Sequence, residues 1–171
     1  MIIIQIIDVI GYSGSGKTSF IVSAIKSLKK NFSYNIVVIK NVKHHPIDKK
    51  GKDSYKFIEA GASYSVIQNI NNETAIFVEN KDLKFKSLLN WVKNGPYKVD
   101  IIFTEGFRDL YNPTVLCISE LNEIEEQLTE SVKIISGNIC LGDLKRKEIL
   151  NLPIIDIENE FLKFVNIFTL N

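Results

Sequence analysis

Gly11-Tyr12-Ser13-Gly14-Ser15-Gly16-Lys17-Thr18 is a complete G-x-x-x-x-G-K-T segment, and its reading decides the fold. Glycines at 11, 14 and 16 open backbone conformations closed to other residues and let the chain approach an anion closely. Successive N–H groups then point inward as an anion nest. A helix that starts here adds its unpaired N–H groups and the positive end of its dipole. Lys17 supplies a point charge for the β- and γ-phosphates, and the Thr18 hydroxyl supplies a ligand for Mg²⁺. The expected phosphate contacts run over Gly11, Ser13, Gly14, Ser15, Gly16, Lys17, Thr18 and Ser19.

The surroundings match. Residues 2–10 form a nearly unbroken apolar run, the signature of a strand buried on both faces. From residue 17 to 30 the apolar positions Phe20, Ile21, Ala24, Ile25 and Leu28 fall on one helical stripe. Residues 34–39 return to strand, so the first 40 residues are a βαβ unit. Further along, the pattern predicts a short helix at 54–60 and strands at 63–69 and 75–79 around Asn71-Asn72. An amphipathic helix follows at 83–93, carrying Phe85, Leu88, Leu89 and Val92 and stopped by Gly95-Pro96. Strands are expected at 99–104, 114–119, 132–136 and 154–157. Helices are expected through Leu121, Ile124 and Leu128, at 143–150 and at 160–168. The alternation gives an α/β fold of the P-loop NTPase type, three-layer αβα with a mostly parallel central sheet, over one domain spanning residues 1–171.

An acidic group is needed to hold Mg²⁺ opposite Thr18. Asp100-Ile101-Ile102-Phe103-Thr104-Glu105 offers a carboxylate at each end of a strand. Glu105 is the better placed, because strand C-termini face the ligand crevice of a parallel sheet. The polar segment 41–53 follows the second strand and so belongs to the same edge. There Lys43, Lys49, Lys50 and Lys52 are placed to attract phosphate, and Asp48 and Asp53 to hold the metal or its waters. Asp53-Ser54 also reads as a helix N-cap. His44 and His45 do not make a closed zinc site, which needs four ligands.

Bulk properties narrow the classes. The chain has 171 residues, 21 basic and 20 acidic, with a net charge of +1, which gives no electrostatic case for nucleic acid or an anionic membrane as partner. The apolar N-terminal run lacks a basic leader and a cleavage site and is far short of a membrane span, so a cytoplasmic protein is expected. Cys117 and Cys140 stand in apolar contexts and read as buried thiols, not a disulfide framework.

Taken in order, Gly11 to Thr18, Lys43-His44-His45, Gly51-Lys52-Asp53-Ser54, Ala60-Gly61-Ala62 and Glu105-Gly106-Phe107-Arg108 resemble the molybdopterin-guanine dinucleotide biosynthesis adaptor (MobB) family over roughly residues 2–110. The resemblance implies a homodimeric GTP-binding protein with weak, Mg²⁺-dependent GTPase activity. It would assist the guanylyltransferase that joins GMP to molybdopterin, and contact molybdopterin-binding proteins. Lys17, Asp48 and Glu105 are then the candidate catalytic residues, and Thr18, Asp53 and Glu105 the candidate metal ligands. The N-K-x-D guanine motif is absent, with Asn80-Lys81-Asp82 a near miss, and Gly137-Asn138 and Gly142-Asp143 are weaker candidates for base contact.

Two alternatives stand beside it. A small-molecule kinase using ATP would clamp phosphate with several arginines, and this chain has only Arg108 and Arg146. A nucleotide-dependent switch ATPase of the deviant phosphate-loop type carries a lysine after the first glycine, where this chain has Tyr12.

Overall fold

The computed structural model describes residues 4–78, 84–142 and 146–170. They gather into two compact units, one drawn from the described residues within 1–41 and 96–171 and the other from those within 42–95.

The first unit is built on β1 (Gln5–Ile10), β2 (Ile36–Lys40), β5 (Ile101–Glu105), β6 (Thr114–Cys117) and β7 (Val132–Ser136). They form a five-stranded sheet in the order β2-β5-β1-β6-β7 with every pairing parallel. Alternation along the strands sorts the core into two layers. Ile7, Val9, Ile101, Phe103, Val115, Cys117 and Ile134 face α1 (Lys17–Asn31) and the C-terminal helix Phe161–Ile167. Phe20, Ile21, Ala24 and Leu28 of α1 meet Phe164, Val165 and Phe168 there, with Phe20 and Phe164 edge to face at 5.7 Å. Of the apolar residues in this C-terminal stretch, Phe164, Val165 and Phe168 are core, while Leu162 and Ile167 stay exposed. On the other side Ile10, Leu116, Ile118 and Ile135 pack with Ile124, Ile139 and Ile154.

A polar knot lies inside this unit. Asp8, 3% exposed, accepts the Thr104 hydroxyl at 2.6 Å and both the backbone N–H and side-chain amide of Asn112 at 3.1 Å. These bonds fasten β5, and the chain just before Thr114, to the middle of β1. Asp8→Ala would leave those donors without their acceptor and open a void, at a cost of about 3 kcal/mol, whereas Asp8→Asn keeps one acceptor oxygen and loses less. The urea midpoint of the alanine variant is expected to fall by roughly 1–2 M; an unchanged midpoint would show that the bonds are energetically idle.

The second unit contains α2 (Asp53–Glu59), the antiparallel pair β3 (Ser65–Gln68) and β4 (Thr74–Phe77), and α3 (Phe85–Lys93). Asn72 takes φ +62° in the β3–β4 turn, a conformation asparagine tolerates. The expected α3 stripe Phe85, Leu88, Leu89 and Val92 is half-buried.

Several boundaries differ from the sequence pattern. The segment through Leu121 and Ile124 forms a 3₁₀ turn, Leu121–Glu123, and a single α-helical turn, α4 (Ile124–Gln127), because Leu128 is already extended. The helix expected at 143–150 is not found in its described part: β8 (Glu148–Ile149) pairs antiparallel with β9 (Leu152–Pro153), and Leu150 and Asn151 take φ +52° and +60° as a tight hairpin turn. The strand expected at 154–157 reduces to a parallel bridge between Ile154 and Ile135, followed by the C-terminal helix, α5 (Phe161–Ile167). Asp53 is the first helical residue of α2, with Lys52 at the N-cap, so Asp53 does not cap. Asn80-Lys81-Asp82, Leu83 and Asp143 lie outside the described residues. No helix among the described residues is long and apolar enough to cross a membrane.

Candidate functional site

The loop from Gly11 to Gly16 leaves the C-terminal end of β1 and runs into α1, in the crevice position of a parallel sheet. Its path admits little but glycine at two points. A Cβ on Gly11, at φ +144°, would stand 2.1 Å from the Cys117 carbonyl oxygen; one on Gly16, at φ +91°, would stand 3.0 Å from the Asn138 backbone nitrogen. The loop is also bolted from outside. Asn138, just after β7, donates its side-chain amide to the Gly14 carbonyl at 2.6 Å and its N–H to the Ser15 carbonyl at 3.1 Å.

Inside the loop the polar groups are arranged for an anion. The Ser15 hydroxyl is buried without a hydrogen-bond partner among the described residues, an arrangement that costs about 1–3 kcal/mol until an acceptor arrives. Lys17 folds its ammonium back onto the carbonyls of Gly11 and Tyr12, at 3.0 and 2.6 Å. Burial pushes the Lys17 ammonium below its ordinary value, while the Glu105 carboxylate pulls the other way. The first N–H groups of α1 have no intrahelical acceptor, as at every helix start. These groups fit a chain of phosphates.

Beside them lies a group that fits a divalent cation. Glu105 ends β5 and is only 5% exposed. The Thr18 hydroxyl stands 3.1 Å from its Oε1 and 3.2 Å from its Oε2. Lys40, directly across from Glu105 in the β2–β5 register, balances the carboxylate at 2.9 Å and reaches Thr18 Oγ1 at 3.3 Å. The whole is an open cleft of about 300 Å³ lined by Ser13, Gly14, Lys17, Thr18, Glu105 and Asn138 among others. Ser19, the next residue of α1, also lines it. Oxygen donors, one of them anionic, are the set that hard cations prefer.

Asp100 sits at the opposite end of β5. It accepts the Asn35 backbone N–H at 2.8 Å, which holds its carboxyl below the ordinary value, and pairs with Lys98 at 3.2 Å. Its work is to join strand ends. Asp48 and Asp53 belong to the second unit, where Asp48 accepts the Ser54 hydroxyl at 3.0 Å and Asp53 pairs with Lys56 at 3.4 Å. His45 makes only a local 3.4 Å contact with the Pro46 carbonyl, and no group of three metal-ligating side chains forms among the described residues.

Two residues of the cleft were not predicted in these roles. Lys40 was findable, because a lysine ending the strand beside β5 must stand next to a carboxylate ending β5. Asn138 was noticed only as a weak base contact, since its clamp on Gly14 depends on the strand order. Tyr12 donates its hydroxyl to Glu126, and the Arg108 guanidinium lies 5.6 Å over its ring while donating to Gln127 at 2.8 Å. Cys117 is fully buried, which raises its thiol well above the ordinary value; burial raises Cys140 to about 11, so both stay protonated near neutral pH.

Comparison with known proteins gives one answer. The family model for molybdopterin guanine dinucleotide synthesis protein B matches residues 6–136. A curated molybdopterin-guanine dinucleotide biosynthesis adapter protein of Haemophilus influenzae is 32% identical over 141 residues, covering 81% of this chain and 77% of that protein. A Methanocaldococcus jannaschii protein provisionally assigned the same adapter role is 35% identical over 106 residues, 61% of this chain; the aligned part spans 42% of that longer protein. Crystal structures of the corresponding Bacillus subtilis and Bacillus stearothermophilus proteins superpose with TM-scores of 0.74 and 0.66 over 96% of this chain, covering 96% and 98% of those chains, at 21% and 15% identity. At such identities the likeness shows the fold.

Proposed function

The chain belongs to the molybdopterin guanine dinucleotide synthesis protein B family, and from that premise we propose that it is a GTP-binding adaptor for the attachment of GMP to molybdopterin. The nucleotide's phosphates lie in the Gly11–Thr18 loop, with Lys17 on the β- and γ-phosphates and Mg²⁺ held by Thr18 and Glu105. Lys40 holds the Glu105 carboxylate in place through their 2.9 Å ion pair. The metal, when bound, supplies charge neutralisation of the phosphates. Asp48 and Asp53 remain candidates for orienting water or holding the outer coordination sphere. The homodimer implied by the family belongs to the same reading. Its surface need not involve α5, whose Phe164 and Val165 belong to the core.

The single observation that carries the nucleotide·Mg²⁺ assignment is the 3.1 Å approach of the Thr18 hydroxyl to Glu105. It brings the residue after the phosphate lysine to a buried carboxylate from a distant strand. Glu105→Gln removes the anionic oxygen while keeping the shape. It is expected to weaken GTP binding about tenfold or more in Mg²⁺ and to change it little in EDTA. Calorimetric titrations under both conditions check this; equal losses would remove Glu105 from the metal site.

A further inference from the structure

A second cavity of about 240 Å³ opens beside the phosphate cleft and shares Gly16, Ser19 and Asn138 with it. Its floor is Ser136 and Gly137 at the end of β7, and its far wall is Asp156 to Glu158, the stretch that follows the Ile154–Ile135 bridge. We propose that this cavity receives the purine base of the bound nucleotide and that the Asp156 carboxylate selects guanine. The proposal rests on the nucleotide reading above and extends it to the base.

Position is the first support. A nucleotide held by its phosphates must leave the loop on one side. The Lys40 and Glu105 side of the cleft is taken by the charges that meet the terminal phosphate and metal. The other side opens directly into the second cavity across Gly16 and Ser19. The wall between them is rigid with respect to the loop, because Asn138 is bonded to both Gly14 and Ser15. Gly137, at φ +92°, lets β7 approach so closely that a Cβ there would stand 2.3 Å from the Ser15 carbonyl oxygen. A base seated on this wall and phosphates seated in the loop are therefore held in one fixed frame.

Chemistry is the second. Among the described residues no lysine or arginine lines the cavity, so their lining is unsuited to another phosphate. The ionisable groups among its described lining residues are, besides the protonated Cys140 thiol, two carboxylates. Glu158 is exposed and accepts the Ser23 hydroxyl at 2.9 Å. Asp156 is half-buried, and its oxygens accept the Glu158 N–H at 3.0 Å and the Asn159 amide at 2.5 Å. Those bonds fix its orientation and leave further lone pairs on both oxygens. A fixed carboxylate is matched by two adjacent donors, and guanine's N1–H and 2-amino group are such a pair. Adenine presents an acceptor at N1 and would meet the carboxylate lone pair to lone pair. The same assignment accounts for a guanine site in a chain without an N-K-x-D motif: Asn138 clamps the loop, and the acidic partner of the base comes from residue 156.

The test compares bases on constant phosphates. Affinities of the wild-type protein for GTP, ITP and ATP are measured by competition against a fluorescent GDP. Inosine lacks the 2-amino group, so GTP is expected to bind about tenfold or more tightly than ITP and about a hundredfold or more tightly than ATP. This arm needs no variant. Asp156→Asn is expected to lose GTP affinity at least tenfold and to gain affinity for XTP, whose C2 carbonyl accepts from the new amide, with tripolyphosphate binding unchanged. Equal wild-type affinity for the three nucleotides, or an Asp156→Asn variant that keeps the GTP preference, would overturn the base site while leaving the phosphate site standing. Failure of every nucleotide and of tripolyphosphate to bind would overturn the nucleotide reading and the base site together.

Discussion

Replacing Lys17 by alanine is expected to weaken GTP binding by at least about a hundredfold while leaving the unfolding temperature of the nucleotide-free protein unchanged or slightly raised. Hydrogen bonds to a charged group are worth about 1.5–3 kcal/mol each, and tenfold in affinity is 1.4 kcal/mol, so loss of the ammonium from two phosphates reaches that size. Without ligand the same ammonium bonds the carbonyls of Gly11 and Tyr12 among the described residues. Burial works against its charge, as its lowered pKa records, so alanine removes a desolvation cost along with the two bonds. Calorimetry for affinity and a thermal melt of the apo protein separate the two effects. A variant that binds GTP normally would remove Lys17 from the phosphate site, and one that is grossly destabilised would give it a structural role instead.

The second large effect concerns rate. Purified alone, the protein is expected to hydrolyse GTP far more slowly than about one turnover per second. Fast phosphoryl transfer requires positioning, a metal, an oriented water and a charge that meets the transition state, and an arginine finger alone contributes about 10³–10⁵ in rate. The Gly11–Thr18 loop and Glu105 account for the first two. Arg108, the arginine nearest to Glu105 in sequence, is committed to Gln127 and to the face of Tyr12. Its guanidinium thus stabilises the outer side of the loop. A partner or a dimer contact that supplied the missing charge would raise the rate by orders of magnitude. Steady-state phosphate release by the isolated protein measures this; turnover above roughly one per second would favour a self-sufficient enzyme.

Much of this was legible in the sequence because local rules and tertiary demands agree in the first 40 residues. A doubly buried strand, a glycine turn and an amphipathic helix each have one reading, and β1, the loop and α1 occur where those readings put them. Glu105 was legible as a strand-end carboxylate, since β5 is buried at all five positions and its direction follows from the parallel sheet. The site's supporting residues were less so. Lys40 meets Glu105 only through strand register, and Asn138 meets Gly14 only because β7 lies two strands from β1. The C-terminal errors have the same root. Apolar residues around 148–154 suit helix or strand, and the two successive left-handed residues, Leu150 and Asn151, decide for a hairpin. Asp156 carries no motif at all. Its place beside the loop is set by the single bridge from Ile154 to Ile135.

In the proposed function, nucleotide held in the Gly11–Thr18 loop enables this chain to assist guanylyl transfer. The most direct measurement is the rate at which a purified molybdenum cofactor guanylyltransferase forms the guanine dinucleotide from molybdopterin and GTP, with no addition, with the wild-type chain and with Lys17→Ala. The wild-type chain is expected to raise the rate or yield severalfold and the variant to leave it at the unassisted level. Equal rates in all three, or full assistance by the variant, would contradict it.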